Sequence, residues 1–534
     1  MKTLQPLKIY LLSILLLLIA VSSSAEPKAL VVLSFSDLHG QLDPFASTDP
    51  DRKIKNGGIA RMAFAVTAIR RLNPDRTLLF SCGDSLTGNY FLNFHGKAIL
   101  SALELMNLDA ATLGNHEFDR GGTFLARALN HCTFPIIQSN MELPEDSPLS
   151  GRFSDFRIIV KNGLTIGIIG LMTPDLPFIS KADNIRVPAD TAGSAVQIIK
   201  KMKKKVSPDI IIALTHIGLE KDIELAEKVP EIDLICGGHS HDLMQNGKET
   251  VIVHPDKTRT VIVHSGARGS HLGVLHMTVK KGNIQHHLWE PLKITGRINP
   301  DPVMVDRVGH YRKQLPVETV LALSGKNLDC RSESQRTRET KIGNLITDII
   351  REYFETDVAF QNGGAIRGDW TLPAGNITTN DIDRLLPFEN TVSIFELSGS
   401  EIRQVLEQSV SFLPRQYGGF LQVSGLRFGA DLRKTPLKMN RYTTSGTAKI
   451  VHSGNRVSDI QVLDRNQKYT PLNPKKKYRI AVNTFLASGG DGYVIFQNKT
   501  KISTHAVLRS IVKNSLNRTQ RIPDLPLDRI IIKQ

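Results

Sequence analysis

Side chains able to bind a metal ion recur along the first half of the chain, each time just after a short apolar run. A lone histidine is more often a hydrogen-bonded core or surface residue, but repeated placement of this kind is harder to explain that way. In open sheets with helices on both faces, ligands collect at the carboxyl ends of the strands, so residues distant in sequence would meet in one crevice. The side chains in these positions belong to Asp37, His39, Asp84, Asn115, His116, Glu117, His216, His239 and His241.

This mixture of carboxylate, amide and imidazole ligands suits zinc or manganese, with magnesium or cobalt as alternatives. Two divalent ions roughly 3.5 to 4 Å apart can clamp the attacking and leaving oxygens of a phosphoryl transfer, and they lower the pKa of a bound water towards about 7. A bridging carboxylate is the natural way to hold two cations so close. Glycines lie next to the ligands in the same loops, where the backbone must turn sharply. They are Gly40, Gly83, Gly114, Gly237 and Gly238. The pattern therefore predicts a two-metal centre for phosphoryl chemistry.

The elements that would position these ligands are short buried strands that alternate with longer amphipathic helices. The apolar runs cover residues 30–35, 77–81, 110–113, 166–171, 210–214 and 234–236. Between the first two runs, Ile59, Met62, Val66, Ile69 and Leu72 recur at steps of three and four residues, as one face of a helix requires. The alternation predicts an α/β protein in which helices pack on a largely buried sheet.

Length and composition predict two large domains. A chain of 534 residues is longer than one ordinary core accommodates. Near the middle, Pro300 and Pro302 precede a charged segment that is typical of a bridging helix. We therefore place the first domain at residues 26–299, a linker helix at 300–321 and a second, mixed α/β domain at 322–534.

The first 25 residues predict a cleaved signal peptide and hence a periplasmic or secreted protein. Lys2 and Lys8 give the segment a positive start, residues 9–21 are almost wholly apolar, and Ser23 and Ala25 supply small residues for cleavage. An uncleaved anchor is the alternative, but the apolar run is shorter than the roughly 20 residues that a membrane span needs. The C-terminus lacks the long apolar tail of a lipid-anchor signal. The sequence thus predicts no stable membrane anchor.

The formal net charge of +15 favours the approach of anionic ligands through long-range steering. The densest basic cluster, at residues 200–205, closes a helical segment and has no interleaved aromatic residues, so we interpret it as a solvated helix end and not as a nucleic-acid patch. The cysteines, at Cys82, Cys132, Cys236 and Cys330, form neither a zinc cage nor a disulfide framework, and their pairing stays open.

Five motifs in the first half stand in the order of the calcineurin-like metallophosphatases: Asp37-Leu-His39-Gly, Gly83-Asp84, Gly114-Asn115-His116-Glu117, Thr215-His216 and Gly237-Gly-His239-Ser-His241. The resemblance implies that one ion is held by Asp37, His39, Asp84 and His241, and the other by Asp84, Asn115, His216 and His239. It also implies that His116 and Asp119 form a catalytic dyad, in which His116 faces the phosphate and Asp119 orients the imidazole. Asp84 would bridge the two ions.

The second half resembles the 5′-nucleotidase family, so that the likeness covers essentially the whole mature chain. The motifs are Asn362-Gly-Gly-Ala-Ile-Arg367, Leu386-Pro-Phe388, Phe420-Leu-Gln-Val-Ser-Gly425, Asn483-Thr-Phe485 and Gly489-Gly-Asp491-Gly492. The family implies a four-layer α/β metal domain with helices on a β-sandwich, then a linker helix. It also implies a smaller C-terminal domain that binds the nucleoside and rotates against the metal domain.

Roles in the second half follow from the same resemblance. Arg367 would contact the phosphate, Phe420 and Phe485 would sandwich the base, and Asp491 would bind the ribose hydroxyls. Asn362 and Asn390 are weaker candidates for base or phosphate contacts. Basic phosphate contacts beyond Arg367 find no clear counterpart.

The implied activity is removal of phosphate from nucleotides, from monophosphates and also from di- or triphosphates, through attack of a metal-activated water. One alternative is a relative that cleaves 2′,3′-cyclic nucleotides or UDP-sugars with the same metals. A second is a non-catalytic protein that binds nucleotides or a surface. The sequence leaves open the preferred nucleotide, the native metal and the oligomeric state.

Overall fold

A computed structural model describes residues 26–46, 55–368, 370–440, 449–497 and 499–534. The predicted signal peptide at residues 1–25 lies outside these described residues. Within the described ranges, every helix is too short or too polar to cross a membrane.

Two six-stranded sheets pack face to face in the first domain. The first sheet has the order Asn283–Trp289, His271–Lys280, Lys28–Phe35, Thr77–Cys82 and Ala110–Thr112, with Leu292–Lys293 beside His271–Lys280. The second has the order Thr250–Val253, Arg259–His264, Leu234–Gly237, Ile210–His216, Leu164–Met172 and Phe156–Lys161. The strands that precede the predicted ligands pair in parallel within each sheet, so their carboxyl ends lie at one edge.

Helices cover the outer face of each sheet. Successive side chains of a strand point to opposite faces, so each sheet packs one face on the other sheet and the opposite face on the helices. Leu30 and Val32 lie in the core between the sheets, whereas Val31 and Leu33 lie in the core beneath the helices of the first sheet. The helices of this domain are Ile59–Leu72, Gly88–Phe94, Lys97–Leu105, Gly122–Ala128, Leu176–Ile179, Thr191–Lys203 and Leu219–Lys228. The predicted four-layer α/β arrangement is confirmed.

The helix Pro302–Arg312 follows the first domain and is attached to it. Asp301 caps its start by accepting a hydrogen bond from the backbone N–H of Met304 at 2.9 Å. Met304, Val308 and Tyr311 pack into the core of the first domain, and Arg312 pairs with Asp43. The helix lies within the predicted linker at 300–321, while the exact domain bounds remain a prediction.

The second domain combines a five-stranded and a four-stranded sheet. The five-stranded sheet has the order Leu421–Ser424, Val358–Asn362, Lys477–Asn483, Thr391–Ser398 and Lys501–Val507. The four-stranded sheet has the order Tyr469–Pro471, Val457–Leu463, Leu426–Asp431 and Ile530–Lys533. Its helices are Ser332–Gln335, Lys341–Tyr353, Thr379–Leu385, Gly399–Ser409, Thr484–Ala487 and Leu508–Thr519. Short two-stranded ladders in this part of the chain join Val320–Ser324 to Gly375–Thr378, Leu328–Asp329 to Thr371–Leu372, and Lys438–Asn440 to Lys449–His452. A further short ladder, which belongs to the first domain, joins Phe45–Ala46 to Lys55–Asn56.

Candidate active site

The predicted ligands meet at the carboxyl edge of the two packed sheets. His216 is the last residue of its strand, Asn115 is the first residue of a short 3-10 helix that follows the strand Ala110–Thr112, and the other ligands lie in the loops that directly follow their strands. The side chains form two groups whose ligand atoms lie within 4.8 Å of one another, namely Asp37, His39 and His241, and Asp84, His216 and His239. The two groups are contiguous, because His39 and Asp84 also form such a group with His116.

The ligand loops hold an unusual backbone conformation. Asp37, His39, Asp84, His239 and His241 have φ angles of 50°, 48°, 54°, 81° and 61°. Residues other than glycine rarely adopt this left-handed region, and each such residue costs of the order of 1 to 3 kcal/mol unless the surroundings compensate. The concentration of this strain at one edge of the sheets indicates that the loops are held in place for a function.

The donor set fits a divalent cation. The buried Nδ1 of His216 donates a hydrogen bond to the carbonyl of Cys82 at 2.7 Å, so its Nε2 carries a lone pair. That Nε2 lies 3.1 Å from Oδ2 of Asp84, and neither it nor the buried Oδ1 of Asn115 has a hydrogen-bond partner among the described residues. Nε2 of His39 and Nε2 of His241 lie 2.9 Å apart. Acceptor atoms that face one another in a buried site require a positive charge between them.

The raised pKa of His216 also indicates that this site favours a positive charge. Burial lowers this pKa, but the nearby Asp84 carboxylate more than compensates and raises it to about 10. Without a metal ion, a proton on the imidazole would supply the charge that the carboxylates attract. The structure thus supports divalent metal binding at this edge.

Glu117 has a structural role that the sequence motif alone did not define. Its buried carboxylate accepts hydrogen bonds from the backbone N–H groups of Asp84, Ser85, Leu86 and Gly114, at 3.0, 2.7, 2.9 and 2.7 Å. Burial and the neighbouring Asp84 raise the pKa of Glu117 to about 7. Glu117 therefore ties together two loops that carry ligands, and its place directly after His116 was the only sequence signal for this role.

His116 and Asp119 form the predicted pair. Nδ1 of His116 lies 2.8 Å from Oδ2 of Asp119, and the other carboxylate oxygen of Asp119 accepts the hydroxyl of Ser180 at 2.8 Å. Burial lowers the pKa of His116, but Asp119 and Asp84 outweigh this effect and the pKa is raised. On its other side, Nε2 of His116 accepts a hydrogen bond from Nη2 of Arg367 at 2.8 Å.

A cleft of about 760 Å³ separates the two domains in front of the ligands. From the second domain, Arg367 reaches His116, and the Phe388 ring stacks on the imidazole with centroids 5.6 Å apart and planes inclined by 20°. Arg336 also lines the cleft, and it is a basic residue that the sequence motifs did not reveal. The other predicted residues of the second domain that line it are Asn362, Asn390, Phe485 and Asp491.

Asp491 is held by a buried polar network. Its carboxylate accepts the side-chain amide of Asn362 at 2.8 Å, and Asn362 in turn accepts the amide of Asn483 at 2.8 Å. The backbone carbonyl of Asp491 accepts the amide of Gln408 at 3.1 Å and the hydroxyl of Tyr417. This network holds Asp491 at a left-handed φ of 53°. Asn362 thus supports Asp491 in addition to lining the cleft.

The two predicted stacking rings occupy different environments. Phe485 is partly buried and lines the cleft, but Phe420 has 0% exposure and packs in the core of the second domain. Phe420 is not among the residues that line the cleft, because its ring is enclosed by apolar side chains beneath the cleft wall. Tyr417, three residues earlier, lines the cleft instead. The predicted base contact of Phe420 is therefore not supported by its position.

Comparison with known proteins agrees with this arrangement. Residues 30–243 match the calcineurin-like phosphoesterase family, and residues 317–498 match the 5′-nucleotidase C-terminal domain family. The chain is 30% identical to the 5′-nucleotidase of Bos taurus over 89% of this chain and 86% of that protein. It is 30% identical to the 5′-nucleotidase of Homo sapiens over 90% and 88%.

Among solved structures, the fold matches that of a 5′-nucleotidase precursor from Thermus thermophilus with a TM-score of 0.84. The two are 29% identical, and the match covers 95% of this chain and 99% of that chain. With both family domains present in order, and with the metal-ligand edge facing the second domain across the cleft, the chain belongs to the 5′-nucleotidase family of metallophosphatases, which hydrolyse phosphoric monoesters.

Proposed function

We propose that this chain removes the 5′-phosphate from nucleoside monophosphates, with di- and triphosphates as further substrates, outside the cytoplasm. The observation that carries the proposal is the pairing of two walls across one cleft. One wall holds the metal-ligand groups and His116, and the other presents Arg367, Phe485 and Asp491. A phosphate at the ligands would leave the nucleoside against the second domain. The export part rests on the predicted signal peptide alone.

We assign two divalent ions, zinc or manganese, to the two ligand groups, with Asp84 between them and Asn115 completing the second set. When bound, these ions would activate a water for attack on phosphorus and neutralise charge on the phosphate oxygens. Asp84 suits a shared position, since its carboxylate lies within 4.8 Å of a ring nitrogen of His39, which belongs to the first set, and of ring nitrogens of His216 and His239, which belong to the second.

His116 and Arg367 would bind the phosphate oxygens between them. In the structure these two side chains contact each other directly at 2.8 Å, and both offer N–H donors once His116 is protonated. A dianionic phosphate would separate them and accept from both, which adds charge stabilisation where the transition state gains negative charge. Asp119 would keep the imidazole oriented and favour its protonated form. Arg336 lines the same cleft and extends its positive charge.

The nucleoside would be recognised by Phe485 and Asp491. Stacking of a base on an aromatic ring tolerates different bases, so discrimination among bases would be weak. Asp491 is 7% exposed and lines the cleft, and its carboxylate, which Asn362 holds in place, could accept hydrogen bonds from ribose hydroxyls. These residues favour a nucleoside-bearing substrate over a simple phosphate ester.

The test is phosphate release by the purified mature chain with AMP, ADP, ATP, UDP-glucose, 2′,3′-cyclic AMP and phenyl phosphate, before and after chelation and with added manganese or zinc. We expect AMP to have the highest kcat/KM and chelation to abolish turnover reversibly. Preference for the cyclic ester or the sugar nucleotide would replace the proposed substrate while keeping the site. Equal turnover of phenyl phosphate would remove the role of Phe485 and Asp491, and no turnover with bound metal would favour the binding-protein alternative.

A further inference from the structure

An ion pair spans the rim of the cleft beside the catalytic dyad. Nη2 of Arg120, in the first domain, lies 2.9 Å from Oε2 of Glu389, in the second domain, and both residues line the cleft. Arg120 directly follows Asp119, and Glu389 directly follows Phe388, whose ring stacks on His116. The pair therefore joins the two domains at the residues next to the reacting centre.

Arg120 is fixed in place from its own domain. Its guanidinium lies over the ring of Phe124, 3.9 Å from the centroid, and its Nη1 lies 3.1 Å from Nδ1 of His95. A planar guanidinium held on a ring loses little further freedom when it pairs with a carboxylate. The first domain thus holds the guanidinium of Arg120 in place, and the carboxylate that pairs with it, that of Glu389, belongs to the second domain.

Other contacts also cross between the domains: the helix Gly88–Phe94 lies beside Thr379–Leu385, and the short helix Leu176–Ile179 lies beside the turn Gly490–Gly492. Arg367 and Phe388 contact His116, the guanidinium of Arg268 lies 5.6 Å from the ring centroid of Trp370, and an amide contact of 3.5 Å links Asn89 to Asn380. The direct contact between Arg367 and His116 is lost when a phosphate enters between these two side chains. The Arg120–Glu389 pair lies at the rim, and it can persist while the phosphate is bound.

We propose that Arg120 and Glu389 form an interdomain latch that keeps Arg367 and Phe388 facing His116 across the position that the phosphate would occupy. Both are positioning residues: they act through the placement of the second domain and contact neither the phosphate nor the metals. The inference rests on the proposed function for its kinetic readout, because it concerns the same cleft. Breaking the latch should lower the fraction of molecules with the second domain in place without removing any ligand.

The expected effect is modest and sensitive to salt. The side chains of Arg120 and Glu389 are 26% and 39% exposed, so solvent and ions screen their attraction. We expect Arg120→Gln and Glu389→Gln each to lower kcat/KM for AMP about two- to fivefold at low ionic strength, with unchanged metal content. The ratio of wild type to variant should approach one at high salt, where screening removes the attraction in both proteins.

The double variant Arg120→Gln/Glu389→Gln decides whether the two residues act as a pair. If they form the latch, the double variant should be no slower than either single variant. Multiplication of the two single effects would show that the residues act independently and would overturn the proposal. Lys221→Gln is the matched control, because Lys221 pairs with Glu224 at 2.9 Å within one helix of the first domain and neither residue lines the cleft.

A second readout reports the domain contact without any substrate. The chain has two tryptophans, of which Trp289 is fully buried in the first domain and Trp370 lies at the contact with Arg268. We expect Glu389→Gln to change the Trp370 emission at low salt, with the Trp370→Phe variant identifying that signal and Lys221→Gln leaving it unchanged. Emission identical to wild type at low salt would overturn the latch. A changed emission without turnover of any nucleotide would instead retain the latch and reject the proposed substrate.

Discussion

The two walls of the cleft are built in different ways. The wall that carries the metal ligands is shaped by the backbone: five ligands lie in left-handed conformations, and Glu117 binds four backbone N–H groups across two loops. The wall from the second domain, to which we assign the nucleoside, is shaped by side chains, with Asp491 held through Asn362 and Asn483. The first wall is thus organised within one domain, whereas the second wall contacts His116 only when the second domain packs against the first.

This difference predicts that substitutions in the two walls affect metal content and substrate range in different ways. Changes in the first wall should remove metal or chemistry for every substrate, because all substrates share the phosphate. Changes at Phe485 and Asp491 in the second wall should spare metal content and affect only substrates that carry a nucleoside, whereas Arg367, which would bind the phosphate, should matter for every substrate. Five predictions test this contrast, from the largest expected effect to the smallest.

Asp84→Asn should abolish both metal uptake and turnover. Asp84 is buried and contacts His216, so loss of its charge removes the attraction that the facing acceptor atoms need. Metal content by elemental analysis and phosphate release from AMP should fall together. Asp155→Asn, an exposed carboxylate paired with Lys201, is the matched control and should retain both. An Asp84→Asn protein with full metal content would contradict the shared-ligand assignment.

His116→Asn should lower kcat about 10²- to 10⁴-fold while metal content stays near wild type. The imidazole contacts Asp119 and Arg367 but is not assigned to either metal, so its loss removes charge stabilisation and not binding of the ions. AMP and phenyl phosphate should be affected alike. Near-normal turnover would remove His116 from the mechanism.

Asp119→Asn should lower kcat about 10- to 100-fold and move the pH profile. Burial and Arg367 lower the pKa of His116, and Asp119 is the largest of the groups that raise it. The variant should therefore have a lower His116 pKa. Because protonated His116 would stabilise the phosphate, we expect activity to be lost as pH rises through that pKa, and in the variant the loss should begin at lower pH. An alkaline limb at the wild-type position would contradict the assignment.

Asp491→Ala should raise KM for AMP about 10- to 100-fold, since a hydrogen bond to a charged group contributes about 1.5 to 3 kcal/mol. Turnover of phenyl phosphate and metal content should not change, because this carboxylate lies on the nucleoside wall. Equal losses for both substrates would show that Asp491 acts on the metal wall. Steady-state kinetics with the two substrates provide the comparison.

Phe485→Ala and Phe420→Ala should have different effects. Phe485 lines the cleft, so its loss should raise KM for AMP about tenfold, within the range of about 1 to 3 kcal/mol for base stacking. Phe420 is fully buried, so its loss should cost about 3 to 5 kcal/mol of stability and lower Tm. A raised KM with an unchanged Tm for Phe420→Ala would restore its predicted base contact.

The sequence predicted the fold class and the convergence of the ligands well, because both depend on local patterns. Apolar runs of strand length and a helical face at residues 59–72 reflect backbone geometry that neighbouring residues impose. Parallel strands then place the residues after each run at a common edge, where the structure has Asp37, Asp84 and His239. The assignment of these residues to two particular ions remains a prediction.

The sequence alone thus determined which residue types could perform phosphoryl chemistry and that they would lie at the carboxyl ends of the strands of an α/β fold. The tertiary structure decided which side chains face the cleft: it buried Phe420, brought Tyr417 and Arg336 to the wall, and made Asn362 a support for Asp491. It alone paired Arg120 with Glu389. The physical reason is that burial, hydrogen bonding and charge pairing depend on groups far apart in sequence, whereas strand and helix periodicity is fixed by neighbours along the chain.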